Sequence, residues 1–401
     1  MKIRENILIS ELTTMQIGGP ARYIAEIETP QDIDTICRFA DAHLFPTFFI
    51  GGGANTIGHD EGFSGILIKN VMQGIKDENG LLTIMGGETW DNVVEYACSK
   101  GYTGIEALSK IPGSAGAAPV QNIGAYGQDI SAVFKSAEVY DTTTKSYKEL
   151  SASDMQFGYR KSLLNTTARG RYFVLWITLQ LKPGQMSRPF YNSIESYIDE
   201  HHPTDFTPQG IRDIVSAIRA DKLPDPDEKP SSGSFFKNIY LDWKEAEKAE
   251  ERHYPVHRGR DGNKINSGWL IEQAGFKGQL LFGMRVCPTA ALVLINESAY
   301  RYENLAKARN HIASKVYDMF GYQLEQEPVE IIDPKKNYQA PGSTQFYDRP
   351  GSQPISPISL ATPANSTAFP TIETNFRSMT KAPEEPETLP FLNRPKGSKN
   401  A

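Results

Sequence analysis

Apolar residues recur at helical spacing in four stretches of the chain. In the first, Thr29-Pro30-Gln31-Asp32 supplies an N-cap, a proline at the first helical position and an acid in the first turn. Ile33, Ile36, Cys37 and Ala40 then follow on one face. The segment Asp91 to Lys100 repeats the pattern with Val93, Val94 and Ala97 inward and Gly101 as the stop. Thr207-Pro208 opens a third helix through Ile211, Ile214, Val215 and Ile218. The longest runs through Leu305, Ala308, Ile312, Val316 and Phe320 and closes at Gly321. Short apolar runs between them predict strands: Phe48-Phe49-Ile50, Ile66-Leu67-Ile68, Leu82-Thr83-Ile84, Val174-Leu175-Trp176-Ile177 and Leu292-Val293-Leu294-Ile295. Helices and strands do not alternate regularly, so the pattern predicts a mixed α+β fold and not one doubly wound sheet.

The periodicity stops near Asp333. From Pro334 to Ala401 the chain holds 11 of its 26 prolines among Ser, Thr and Asn, with apolar residues scattered. Proline removes backbone donors and fixes φ, so this tail is expected to be disordered. Of the 401 residues, 39% are apolar and 22% charged, which suffices for a core in the remainder. The net charge of −6 argues against a phosphate backbone as the main partner. No apolar run reaches the roughly 20 residues that span a bilayer. Residues 1–6 lack a signal-peptide apolar region, so a cytoplasmic protein is expected, without membrane or nucleic-acid partners and acting as a monomer. Cys37, Cys98 and Cys287 are too few and too scattered for a disulfide framework, and no Cys/His spacing implies a metal.

Candidate chemistry lies in four segments. Gly51-Gly52-Gly53-Ala54-Asn55 follows a predicted strand, where glycines let amides approach an anion; a plain tight turn reads equally well. The run from Ile111 to Gly127 holds four glycines, four alanines and two prolines, with almost no charge. Side chains this small suit a loop laid against a large planar or anionic ligand. Gly158-Tyr159-Arg160 offers a cation after a turn, and Gly233-Ser234-Phe235-Phe236-Lys237-Asn238 a hydroxyl beside two aromatics. Taken singly, Arg160 also reads as a surface cation and Ser234 as a turn hydroxyl.

Together these segments resemble the UDP-N-acetylenolpyruvoylglucosamine reductase family. The resemblance runs from about Thr13 to Ile332 through Ile17-Gly18-Gly19-Pro20-Ala21, the 51–55 turn, Pro119-Val120-Gln121-Asn122-Ile123-Gly124-Ala125-Tyr126-Gly127, Gly158-Tyr159-Arg160, Lys222-Leu223-Pro224-Asp225-Pro226, the 233–238 segment and Gly268-Trp269-Leu270-Ile271. It implies an FAD-binding module of the p-cresol methylhydroxylase/vanillyl-alcohol oxidase type over 1–70 and 71–222. It further implies a substrate-binding domain over 223–323, and a last strand, 324–333, returning to the first part.

The resemblance also implies the chemistry. Bound FAD takes hydride from NADPH and passes it to C3 of UDP-N-acetylenolpyruvoylglucosamine, giving UDP-N-acetylmuramate for peptidoglycan. The charge left on C2 and the carboxylate needs fixed donors, and Arg160 stands at the family's arginine. Ser234 stands at the serine that protonates C2. FAD would be held by Gly51, Gly52, Gly53, Ala54, Asn55, Gln121, Asn122, Ile123, Gly124, Ala125, Tyr126 and Gly127. Tyr191, Arg219, Lys222 and Asn238 would hold the UDP part of the substrate, Lys222 near the diphosphate, as in the longer-loop subtype. The family's last strand reads Leu-Glu-Pro-Glu-Val with its second Glu catalytic. Here it reads Leu324-Glu325-Gln326-Glu327-Pro328-Val329-Glu330, with one residue more. A bulge that absorbs the extra residue selects Glu327, with Glu325 and Glu330 as alternatives. Ala290 and Ile239 also depart from the family pattern. A flavin oxidase of the same fold with a covalent anchor, for which His59 is the nearest candidate, and a catalytically inactive scaffold are the competing readings.

Overall fold

The computed structural model describes residues 1–259 and 262–336. The expectation for the tail therefore lies outside the described residues from residue 337 onward. The N-terminal strand Lys2–Leu8 pairs antiparallel with Pro20–Ile27, placing Ile3 opposite Ala25. Phe63–Asn70 and Thr47–Ile50 continue the sheet in parallel, with Leu67 opposite both Ile24 and Phe48. Between Pro20–Ile27 and Thr47–Ile50 runs the helix Pro30–Ala42, which buries Ile33, Ile36, Cys37, Phe39 and Ala40. Asp32 caps it by accepting the amides of Glu28 and Thr29, each at 2.9 Å.

A second, antiparallel sheet has the order Ser146–Ser151, Phe134–Asp141, Tyr172–Gln180, Leu81–Met85, Ile75–Glu78. The helix Trp90–Ser99 turns Trp90, Val93, Val94 and Ala97 onto Leu82, Ile84, Val139 and Ile177. The helix Pro208–Lys222 lies beside it, and buried Arg212 grips Asp91 through two hydrogen bonds of 2.6 and 3.0 Å. Burial works against the charge of Asp91, but Arg212 and Lys110 together outweigh it and hold the carboxyl well below the usual range. The third core gathers Phe235, Phe236, Leu270, Ile271 and the inner face of the helix Tyr302–Phe320, together with Met15, Ile17 and Ile57 from the N-terminal part. Gly321 ends that helix at φ 76°.

All four expected helices form; three start within one residue of their sequence signals, and the last starts at Tyr302, ahead of Leu305. The strand expected from Leu292 begins at Val293. The sequence reading passed over the helix Trp243–Glu251, although Asp242 and Glu245 form a reciprocal capping box at its start.

The terminal segment departs from the expected bulge. Lys237 N–H donates to the Glu325 carbonyl at 2.8 Å and Glu327 N–H to the Phe235 carbonyl at 2.9 Å. After Pro328 the chain changes partner: Val329–Ile331 pairs in parallel with Thr56–Gly58. Proline has no N–H to continue the first ladder, and the chain pairs with a different strand beyond it.

Candidate active site

Backbone geometry brings the two glycine-rich segments together. Gly53 holds φ 71°, and a Cβ there would lie 1.8 Å from the Leu12 carbonyl oxygen. A Cβ on Gly51 would press on Ala117 and Ser114, and one on Gly52 on the Gly113 backbone. The two runs thus approach each other closely because neither carries side chains. The amides of Gly51, Gly52, Gly53 and Ala54 donate to no backbone carbonyl among the described residues. A glycine-built surface with spare amide donors fits a diphosphate-bearing cofactor. The 111–127 run is held by its own turns and by the second sheet: Ala115 and Gly116 donate to Glu88 and Gly86, and Ala115 and Ala118 are buried in the core.

Within that run the residues divide by what they touch. Asn122 is buried; its amide donates to the Gly158 carbonyl at 3.1 Å and its oxygen accepts from Ser131 N–H at 3.1 Å. It therefore ties the loop to the turn that carries Arg160. Gln121 accepts from the Asn55 amide at 2.9 Å and reaches Glu327 Oε1 at 3.4 Å. Ile123 and Ala125 pack against the second core, and the Gly124 carbonyl accepts from Arg160 Nη1 at 3.0 Å. Tyr126 sits edge-on to Tyr191, 6.0 Å between ring centroids, and Gly127 lies against the Tyr191 ring.

Arg160 stands in a tight turn closed by reciprocal backbone bonds between Gly158 and Lys161. Its φ is 51°, a left-handed conformation that costs a non-glycine residue energy and that it shares with Asn122 and Tyr126. That backbone aims the guanidinium at Glu327: Nε lies 3.0 Å from Oε1. The N–H vector misses the carboxylate, so among the described residues the buried Nε has no hydrogen-bond partner and is a spare donor at the site. Burial pushes the Glu327 carboxyl up, opposed by the charges of Arg160 and Lys237. Ser234 ends the strand Ser231–Ser234, directly before Phe235, whose carbonyl receives Glu327 N–H. Arg160 and Glu327 thus meet from separate segments, and the chain places Ser234 one residue before the backbone partner of Glu327.

The remaining glutamates are placed differently. Glu325 is 67% exposed and pairs with Lys237. Glu330 accepts from Tyr302 Oη and Arg309 Nη1, both at 2.8 Å, and pairs with His59 Nε2 at 3.0 Å. His59 is buried and stacked on Tyr302 at 3.8 Å, so its ring is committed to the protein and not offered as a covalent flavin anchor.

Of the expected substrate residues, Arg219 hydrogen-bonds Tyr126 and feels the charge of Arg160, and burial works against its own charge. Asn238 hydrogen-bonds Tyr159 and accepts from Ser267 N–H at 3.1 Å. Tyr191 is 47% exposed at the start of the helix Asn192–His201. Lys222 is exposed at a helix end; its carbonyl accepts from Thr289, and its ammonium joins none of these contacts among the described residues. Tyr159 and Lys237 also belong to this cluster, though the sequence reading assigned neither a role. Tyr159 stacks near Tyr240, 4.6 Å away, and Lys237 acts on both Glu325 and Glu327. Their signal was their place inside the Gly158–Arg160 and Gly233–Asn238 segments.

Ala290 packs beside Cys287, Val293 and Ile295. Ile239 joins a strand opposite Ile265. The three cysteines are buried, and burial pushes the Cys37 and Cys98 thiols up to about 12. Among the described residues no helix is long and apolar enough to cross a membrane.

Comparison with known proteins supplies the rest. Residues 21–146 match an FAD binding domain, and residues 225–331 match the UDP-N-acetylenolpyruvoylglucosamine reductase C-terminal domain. The chain is 34% identical over 340 residues to the UDP-N-acetylenolpyruvoylglucosamine reductase of Amoebophilus asiaticus, covering 83% of this chain and all of the relative. It is 33% identical over 344 residues to that of Aliivibrio fischeri, covering 82% and 94%. The solved reductase from Thermus caldophilus shares the fold, with a TM-score of 0.59 at 21% identity over 82% of this chain and 99% of that one.

Proposed function

The chain belongs to the UDP-N-acetylenolpyruvoylglucosamine reductase family, and on that premise we propose that Arg160, Ser234 and Glu327 carry its chemistry. The protein is an FAD-containing oxidoreductase that reduces UDP-N-acetylenolpyruvoylglucosamine to UDP-N-acetylmuramate with NADPH, in peptidoglycan synthesis. The carrying observation is the approach of Arg160 Nε to within 3.0 Å of Glu327, whose N–H donates to the carbonyl of Phe235, the residue after Ser234.

FAD, when bound, supplies the hydride carrier between NADPH and C3 of the enolpyruvyl group. The amides of residues 51–54 and the backbone of 113–127 would hold it, Gln121 and Asn122 serving mainly to lock that surface to Glu327 and to the Arg160 turn. Arg160 fixes the substrate carboxylate, where negative charge grows once C3 has gained hydride. A guanidinium already aimed by its turn pays no reorganisation at that moment. Ser234 donates the proton to C2. A serine hydroxyl is a weak acid near pH 7, so it needs a polar neighbour that itself bears a proton. Glu327 fills that role because burial favours its neutral form. Arg219, Tyr191, Asn238 and Lys222 hold the UDP part; Arg219 is the member most firmly built into the cluster, and Lys222 is exposed at a helix end.

Arg160→Met tests the assignment. The expected result is a loss of about 10²–10³-fold in flavin reoxidation by the sugar nucleotide, with NADPH-driven flavin reduction unchanged. Normal reoxidation in that variant overturns the role given to Arg160.

A further inference from the structure

We propose that Gln326 and Arg309 are positioning residues for Glu327, an inference that rests on Glu327 being the catalytic carboxylate. The terminal segment trades one neighbouring strand for another at Pro328, so the residue before the proline sits at a seam. Glu327 has a single ladder bond, from its N–H to the Phe235 carbonyl, and the next residue cannot donate at all. Rotation of the backbone across this seam would swing the carboxylate away from Arg160.

Gln326 closes the seam. Its Nε2 donates to the Pro328 carbonyl at 2.8 Å, forming a ring from residue 326 to residue 328 that encloses Glu327. The same Nε2 reaches Glu330 Oε1 at 3.2 Å, and Oε1 accepts from Arg309 Nη1 at 2.8 Å. Both ends of the Gln326 amide are therefore spent on the scaffold. Arg309 projects from the helix Tyr302–Phe320, is only 6% exposed, and also donates to Glu330. Glu330 is fixed in turn by Tyr302 and His59. Gln326 is thus anchored to a buried network on one side and to the backbone on the far side of Glu327. This is the segment in which the chain is one residue longer than the family pattern. The side chain of Gln326 compensates for the ladder that Pro328 interrupts.

The test uses the full-length, flavin-loaded enzyme. Gln326→Met keeps the volume and removes all three side-chain hydrogen bonds. Expected is an unchanged flavin content, an unchanged rate of flavin reduction by NADPH, and reoxidation by UDP-N-acetylenolpyruvoylglucosamine slowed about 10-fold, on the scale of a slightly misplaced catalytic group. In a Glu327→Gln background the same substitution should add less than about 2-fold, because residues that act through one group are not additive. Gln326→Glu, which keeps the acceptor for Arg309 but loses the donor to Pro328, provides the second variant and should slow reoxidation as well. Normal reoxidation in Gln326→Met or Gln326→Glu, beside a crippled Glu327→Gln, overturns the positioning role and leaves the catalytic reading standing. Equal slowing by Gln326→Met in both backgrounds also overturns it. Normal reoxidation in Glu327→Gln alone removes the catalytic reading and the inference with it.

Discussion

Glu327 and Glu330 stand on one terminal segment, both withdrawn from water, and their surroundings drive their protons in opposite directions. Burial raises both carboxyls. At Glu330 hydrogen bonds from His59 and Tyr302 and the charge of Arg309 outweigh it, and the pKa falls to about 2. At Glu327 the opposing charges, Arg160 and Lys237, do not overcome burial, and the pKa stays raised. Depth alone therefore does not set the role of a buried carboxylate; the number of donors aimed at it does. Donors hold Glu330 toward its charged form, whereas burial pushes the Glu327 carboxyl up beside a guanidinium whose Nε has no hydrogen-bond partner among the described residues. The 51–55 turn reaches the Glu327 side of this divide through Asn55 and Gln121.

The largest effect expected on that side comes from Ser234→Ala. Stopped-flow traces should show flavin reduction by NADPH nearly intact, since that half-reaction needs no proton at C2. Reoxidation by the sugar nucleotide should slow by about 10³-fold or more. Equal slowing of both halves would make Ser234 structural and detach it from Glu327.

Stability against pH separates the two glutamates directly. A carboxyl with a depressed folded pKa stabilises the fold above its unfolded pKa and loses that contribution as pH falls through the folded value. For Glu330, depressed to about 2, this is on the order of 3 kcal/mol. Glu330→Gln should therefore unfold well below the parent temperature at pH 7, with the gap closing between about pH 5 and the folded value near 2. Glu327 has the opposite sign: its raised pKa costs stability as pH rises past the ordinary carboxylate value. Glu327→Gln should keep or gain thermal stability at pH 8. Thermal melts across pH check both, and a large loss in Glu327→Gln would contradict the contrast.

A smaller effect distinguishes a cradle glycine from a helix-stop glycine. Gly53 and Gly101 both adopt φ 71°, but a Cβ on Gly101 meets nothing within 4 Å while one on Gly53 collides with the Leu12 carbonyl. Gly101→Ala should cost only the left-handed backbone penalty of about 1 kcal/mol. Gly53→Ala should additionally distort the cradle and lower the ratio of flavin to protein absorbance. Equal flavin retention in the two variants would show that the 51–55 turn is remote from the cofactor.

Much of this arrangement was legible along the chain. Thr29-Pro30 and Thr207-Pro208 mark helix starts through chemistry local to a few residues, and the helices begin at Pro30 and Pro208. The small-residue run 111–127 and the 51–55 turn were each recognisable as surfaces without side chains, but not as surfaces facing each other, because that contact depends on how the first and second sheets pack. The strand Lys2–Leu8 carries no alternation to find, being mostly exposed. Asn122 was placed among the cofactor residues by its neighbours; its side chain instead holds the Arg160 turn, a long-range choice that local pattern does not encode. The extra residue before Val329 left three glutamates open, and a bulge was the local way to absorb it. The observed solution needs Phe235, Asn55 and Arg309, all distant in sequence.

The most direct test of the division between these carboxylates is flavin reoxidation by UDP-N-acetylenolpyruvoylglucosamine in Glu325→Gln, Glu327→Gln and Glu330→Gln, measured in a single turnover after NADPH reduction. Glu327→Gln is predicted to slow reoxidation by at least about 100-fold. Glu325→Gln, at an exposed residue paired with Lys237, should stay within about 2-fold of the parent, as expected of a surface ion pair. Glu330→Gln should lose far less rate than Glu327→Gln wherever it remains folded. Near-normal reoxidation in Glu327→Gln, with either of the other two crippled, would contradict the assignment of the proton-bearing carboxyl to Glu327.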